Sequence, residues 1–388
     1  MLGPSPSGPT QGMGTRGAMA LRFVKKLAFR LVAVILGILV GLGVAEVGLR
    51  IVRPQRTAPP LLAYDARVGS IPVPNQRGRV TLPGVFEYTF TNDSYGLRVT
   101  GVVDREKAKA RVLVLGDSFT YGVGVNDNQT FAYLLEQRLS KTPLAPAVIN
   151  AGNGGKGTDY ALRVFETLGQ TFHPDVTILC FFANDFVDNG RSLIYTVADD
   201  GRLLVKPSLG SVYARKERLR KSAAYNWLIS WSHLANLVKQ IAVGYVRPQE
   251  AGALDAEAEK RGSDHRDGWA DERNTWPTKV FVEHLIEAAR HAGSVPIIFY
   301  VPGGDEVKRY RDTGRVSKDE AAFKELLGPT GEVLISLTPM LAASGRPIEA
   351  LYFDEERTGR PTGHWTPLGH SLVAAFMEGV VRDRLERR

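Results

Sequence analysis

With 388 residues and 44% hydrophobic side chains, the chain can bury a large core, and its composition excludes wholesale disorder. The formal net charge of +8 is not spread evenly. Residues 1–56 carry Arg16, Arg22, Lys25, Lys26, Arg30, Arg50, Arg53 and Arg56 against the single acid Glu46, which leaves the rest of the chain close to neutral. The basic charge therefore brackets one apolar segment and forms no phosphate-binding face, which excludes nucleic acid as a partner. The single cysteine, Cys180, rules out an intrachain disulfide; its apolar setting reads as a buried strand, where cysteine acts as a small hydrophobe.

Residues 1–18, rich in Gly, Pro and Ser, are expected to be irregular, and residues 1–30 form a basic N-terminal segment. Residues 31–45 contain no charged side chain, and apolar character resumes after Glu46, so 31–52 is long enough for a spanning helix of about 20 residues. Glu46 and Arg50 lie four apart, on one helix face, where they can pair. The basic residues upstream outnumber those just downstream. The positive-inside bias then leaves the N-terminus in the cytoplasm and the body on the periplasmic or extracellular side, as a single-pass membrane protein. Gly43-Val44-Ala45 also resembles a signal-peptide cleavage site, but apolar residues continue past it, which favours an uncleaved signal anchor.

Residues 53–105 read as a linker and short lead-in strands, and 106–388 as the main domain with an insertion at about 190–276. Within the main domain, strands are expected at 111–115, 147–150, 175–182, 295–301 and 348–353. Helices are expected at 129–139, 159–168 (capped by Thr158), 279–291, 318–327 and 367–385, with one further segment at 333–343. This alternation implies an α/β fold, a three-layer sandwich with a central parallel sheet and helices on both faces. The insertion, with a basic run (Arg215, Lys216, Arg218, Arg220, Lys221), an aromatic amphipathic stretch at 225–243 and a charged segment at 250–273, is expected to cap the active-site end.

Three strand ends and one loop carry the chemistry. Gly116-Asp117-Ser118 follows the first core strand, and in an open parallel sheet ligands sit beyond the carboxyl ends of the strands. Serine needs a base and an oxyanion site to act as a nucleophile. The glycine-dense loop 150–158, after the second strand, exposes backbone N–H groups. Asn184, after the third, offers a side-chain amide. His364 lies two residues before a helix start marked by Thr366 as N-cap and Pro367 at the first helical position. His370 lies inside that helix and reads as structural. The spacing of the two histidines fits no short metal motif, so neither metal nor cofactor is expected.

In the order and placement of Gly116-Asp117-Ser118, the glycine loop, Asn184 and His364, the sequence resembles the SGNH/GDSL hydrolases, including bacterial members with an N-terminal membrane helix. The resemblance implies a flavodoxin-like fold and a carboxylic ester hydrolase. It further implies that Ser118 is the nucleophile and His364 its base, with the Ser118 and Gly155 N–H groups and the Asn184 side chain around the oxyanion. The substrate would be an acylated small molecule, lipid or glycan. Members of the same superfamily that transfer acyl groups to polysaccharides carry a similar His-Trp-Thr element, seen here at 364–366, so O-acyl transfer is the alternative. One departure stands out: the family's aspartate two or three residues before the histidine is replaced by Pro361 and Thr362. Upstream of them lie Asp354, Glu355 and Glu356. Asp354 is the first candidate to fold back on the imidazole, and a backbone carbonyl is the other way to orient the ring. The missing aspartate also motivates a third reading, a non-catalytic binding relative.

Overall fold

The computed structural model describes residues 13–206, 221–250, 269–332, 334–355 and 363–388. Most of the basic run (Arg215 to Arg220), most of the charged segment, Glu356, Pro361 and Thr362 lie outside them.

Five parallel strands form the central sheet. The first, β5 (Arg111–Gly116), is flanked by β6 (Ala147–Asn150) and β7 (Val176–Phe182); β10 (Val295–Val301) and β11 (Leu334–Ser336) extend the β7 side. Counted within this sheet the order is 2-1-3-4-5, the flavodoxin-like order, which places its topological switch at β5. The sheet is buried on both faces because neighbouring residues of a strand point opposite ways. Leu113, Leu115, Leu179, Phe181, Ile298 and Tyr300 face one helical layer; Val112, Val114, Ile178, Cys180, Ile297 and Phe299 face the other. Helices Thr158–Val164, Glu272–His291 and Lys318–Leu327 cover the first face, while Phe131–Leu139 and Pro367–Glu386 cover the second. The three-layer sandwich is thus the observed architecture.

The lead-in contains two antiparallel hairpins, β1 (Leu62–Asp65) with β2 (Gly69–Pro72) and β3 (Arg77–Leu82) with β4 (Phe86–Thr91). The insertion supplies a third, β8 (Tyr195–Val197) with β9 (Leu203–Val205), followed by helices Ala223–Trp231 and His233–Glu250.

Four local expectations need correction. Residues 348–353 are not a strand: Pro347 precedes a helical turn, Ile348–Leu351, closed by the Tyr352 N–H on the Ile348 carbonyl at 2.9 Å, which buries Leu351. Thr158 is the first helical residue rather than the cap, which is Gly157. Helix Glu272–His291 starts seven residues earlier than its periodicity indicates, because Asp271 caps it by accepting the Asn274 N–H at 3.0 Å. The N-terminal helix begins at Met13, inside the stretch expected to be irregular; once a helix is nucleated, no proline after Pro9 stops its extension toward the N-terminus. That helix runs unbroken to Val52, and Lys25–Val52 is long and apolar enough to cross a membrane, with a mean hydropathy of 2.5 and no buried residue in its most apolar window.

Candidate active site

Ser118 opens a four-residue helix, Ser118–Tyr121, directly at the carboxyl end of β5. Asp117 caps that helix, its Oδ1 accepting the Phe119 N–H at 2.9 Å. Glycine at 116 is enforced by space, since a Cβ there would lie 2.8 Å from the Cys180 carbonyl oxygen and 2.3 Å from Thr120 Oγ1.

His364 arrives from the other end of the chain. Residues 352–355 and 363–366 form two arms that pair: the Phe353 N–H donates to the His364 carbonyl and the Gly363 N–H to the Phe353 carbonyl, both at 2.9 Å. Thr366 anchors the second arm. Its N–H bonds the Leu351 carbonyl, its hydroxyl donates to the Ala350 carbonyl at 2.5 Å, and its Oγ1 accepts the Gly369 N–H to cap the closing helix. The imidazole packs on Phe119 with ring centroids 5.0 Å apart, and Phe119 is itself held by Trp365 and Phe182. This placement brings His364 Nε2 to 2.7 Å from Ser118 Oγ.

The carboxylate behind the imidazole is Glu355, not Asp354. Glu355 Oε1 lies 2.5 Å from His364 Nδ1 and also accepts the His364 backbone N–H at 2.8 Å. Two features select it. Glu355 faces the opposite arm, where its Oε1 meets both the ring and the backbone N–H of His364. Gly363 leaves the room: a Cβ there would lie 2.7 Å from Glu355 Cγ and Oε1. Burial alone would push the Glu355 carboxyl up, but the imidazole hydrogen bond and charge, the backbone N–H and the charge of Arg56 outweigh it, and the group is held below the ordinary glutamate value. A carboxylate that stays ionised and accepts from Nδ1 fixes the tautomer with Nε2 free to accept a proton.

The remaining predicted residues follow the two strands that flank β5. Gly155 follows β6 with φ +67°, a left-handed conformation that favours glycine, and space for a Cβ is open there. Its neighbour Gly154 lies directly over the serine, a Cβ at 154 falling 3.6 Å from Ser118 Cβ. Asn184 follows β7 and begins helix Asp185–Gly190; its side chain does not cap that helix, and its Oδ1 is buried without a hydrogen-bond partner. These two strand ends lie on either side of the end of β5, which carries the serine.

Sequence reasoning did not single out Arg98, which holds the segment after the serine. It is fully buried between the rings of Tyr88 and Tyr121. Its guanidinium pairs with Asp127 at 2.9 Å and donates to the carbonyls of Tyr121, Gly122, Val125 and Thr89. An arginine inside the apolar triplet Leu97-Arg98-Val99 was the available signal. His370 is buried: Nδ1 accepts the Phe131 N–H at 3.1 Å, and burial pushes the imidazole down to about 3, so it stays neutral. Burial likewise pushes the Cys180 thiol up to about 12, which leaves it an inert core residue. Among the described residues no group of three or more His, Cys, Asp or Glu side chains is arranged to hold a metal ion.

A hydroxyl on one imidazole nitrogen and a carboxylate on the other form the relay of serine hydrolases, whatever their fold. The model of the GDSL-like lipase/acylhydrolase family matches residues 114–372, about two thirds of the chain. The chain belongs to that family. It is accordingly a carboxylic ester hydrolase. Solved structures similar to it include the esterase EstA from Pseudoalteromonas sp. (14% identity, TM-score 0.38, covering 71% of this chain and 98% of that one). A lipase/acylhydrolase from Enterococcus faecalis (13%, 0.38, 71% and 96%) and the acetylxylan esterase Axe2 from Geobacillus stearothermophilus (9%, 0.38, 70% and 93%) are similar to the same degree. No curated protein matches the chain.

Proposed function

We propose that the protein is an exported serine esterase, held to a membrane by its N-terminal helix, that cleaves an acyl ester of a lipid or glycan. The observation that carries this reading is the 2.7 Å contact between Ser118 Oγ and His364 Nε2, with Glu355 behind the ring. In the proposed reaction Ser118 Oγ attacks the ester carbonyl carbon while His364 Nε2 takes the hydroxyl proton. The negative charge moves to the carbonyl oxygen, where the N–H groups of Ser118 and Gly155 and the Asn184 amide are the candidate donors. Collapse of this intermediate breaks the bond to the alcohol oxygen, which leaves with the proton from Nε2. Water then attacks the acyl-serine, again giving a proton to Nε2, and the acid departs as the hydroxyl is restored. No metal or cofactor is required by these steps.

Glu355 supports a catalytic reading over a non-catalytic one, since its carboxylate stands behind the imidazole where Pro361 and Thr362 replace the family's aspartate. Membrane attachment is supported by the unbroken helix through Ala45 and Glu46, where a cleaved signal peptide would end, and by the Glu46–Arg50 pair at 3.0 Å. The excess of basic residues upstream supports a cytoplasmic N-terminus and an exported esterase body, with 53–105 as connector and 106–388 as catalytic domain.

Activity-based labelling tests the chemistry. The purified full chain, treated with a fluorophosphonate and mapped by peptide mass, is expected to carry the label on Ser118. Ser118→Ala is expected to lose both label and hydrolysis of a short-chain aryl ester. Equal hydrolysis by wild type and Ser118→Ala would end the proposal; an acyl group passed to an oligosaccharide in preference to water would turn it into a transferase.

A further inference from the structure

Helices Ala223–Trp231 and His233–Glu250 have no role in the relay, yet they are tied firmly to the chain's other end. Asn236 Nδ2 donates to the carbonyls of Ile229 and Ser232 (2.7 and 2.8 Å), which locks the two helices into one unit. The turn between them sits on Glu46. That carboxylate accepts the Ser232 hydroxyl and the backbone N–H groups of His233 and Leu234, all at 2.9 Å, and so caps the second helix from outside. Arg50, paired to Glu46, lies over the Trp231 ring at 5.5 Å, and the Gln55 N–H donates to His233 Nδ1 at 2.7 Å. The clamp therefore engages the last two turns of the N-terminal helix, within about 9 Å of its end at Val52.

The unit presents an apolar face: Trp227 (64% exposed), Leu228 (41%) and Trp231 (40%) on the first helix, Val238 (57%) and Ile241 (51%) on the second. The clamped turn, from Trp231 to Leu234, lies beside Glu46 and Arg50 of the N-terminal helix, whose Val44, Val47, Ile51 and Val52 are also exposed. Lys239 and, on the connector, Arg53 and Arg56 are exposed beside it.

We propose that helices 223–250 lie in the outer interface of the bilayer that the N-terminal helix crosses, as a second, in-plane contact that sets the height of Ser118 and His364 above the lipid. The inference rests on the anchor reading given above and adds the substrate class: an amphiphilic ester carried in that membrane. Continuity identifies the occupant, because the clamp makes this face an extension of a helix surface already in lipid, a surface that a soluble partner would have to cover as well. Side-chain chemistry agrees. A tryptophan pair belongs at the headgroup level, where the ring is apolar and the indole N–H is wet, and adjacent basic side chains meet lipid phosphates. The clamp also accounts for an acid in an otherwise apolar run, since Glu46 enters the interface fully paired. The reacting groups are near. Arg56 is four residues past Val52, at most about 14 Å of chain, and its charge acts on both Lys239 and Glu355.

Spin labels on the full chain in nanodiscs test the placement, using Val238→Cys and Ile241→Cys with Asp200→Cys, on an exposed hairpin, as the aqueous reference; Cys180 is fully buried and stays unlabelled. The expected result at 238 and 241 is enrichment in oxygen and protection from a water-soluble nickel relaxant. Accessibility equal to that at 200 overturns the proposal, and so does protection without oxygen enrichment, which assigns the face to a protein. Activity supplies the second arm. Trp227→Ser/Ile241→Ser is expected to keep the wild-type rate on a soluble aryl ester and to lose at least about tenfold on a vesicle-borne ester, having two fewer large apolar side chains to bury. Equal rates on vesicles overturn the substrate class. Extraction of the wild-type chain by alkaline carbonate sinks the anchor reading itself, whereas a retained chain with residue 241 in water sinks only this inference.

Discussion

Asp354 and Glu355 differ by one position, and that position decides which substitution is silent. Glu355→Gln keeps the shape but leaves the Nδ1–H without an ionised acceptor, so kcat on a soluble ester is expected to fall by up to about 10⁴-fold. Asp354→Asn is expected to stay close to wild type in the same assay; a large loss there with none at Glu355 would reverse the assignment. Asn184→Ala removes one candidate oxyanion donor, for an expected cost of roughly 10²–10³ in kcat with little change in KM, because the charge it would meet exists only in the transition state. The residues legible in the sequence were those set by local rules. Ser118 sits at a strand end, and His364 precedes a capped helix whose Thr366 and Pro367 announce it. Glu355 obeys no local rule. It meets the ring from nine positions upstream, through a gap that the glycine at 363 leaves open.

Element by element, legibility follows the strength of the apolar pattern. The core strands and the closing helix stand out, whereas helix Gly304–Thr313 passes unnoticed because only Val307 and Tyr310 interrupt a polar run; burial of Val307 against the sheet holds it. Residues 348–353 mislead in the opposite sense, since six residues with one charge fit a strand or a buried turn equally, and Pro347 with the buried Leu351 selects the turn. The lead-in hairpins look peripheral in sequence, yet they deliver Arg98 under the segment that follows Ser118. Arg98→Met is expected to destabilise the protein by about 3–5 kcal/mol, because Asp127 and several carbonyls lose their partner together. Urea unfolding of the detergent-solubilised chain checks the magnitude. A loss below about 1 kcal/mol would show that water replaces the guanidinium without penalty.

At the scale of the whole molecule, alternation of strands and helices is enough to read a parallel sheet between two helical layers, but strand order is not written in any one segment. It emerges from which edges remain open when both faces are covered, and it has an electrostatic consequence. Placing β5 beside β7 brings Asp117, at the end of one, near Asp185 and Asp188, after the other, with Asp159 close by. Burial first, then the charges of Asp159 and Asp117, push the Asp188 carboxyl from 3.8 up to about 6, against the pull of Lys156 and Arg191. Between those two values the folded chain keeps a proton that the unfolded chain has released, so stability falls as pH rises through this window and the deficit persists above it. Asp188→Asn removes the deficit without removing volume. The variant is therefore expected to melt a few degrees above wild type at pH 8 and close to it at pH 4, where the folded carboxyl is protonated and the unfolded one has only begun to ionise, so that little of the deficit has developed. Thermal scans of the two full-length chains at both pH values decide the point: an equal gain at pH 4 and pH 8 would trace the effect to packing, and no gain at pH 8 would mean that Lys156 and Arg191 already neutralise the group.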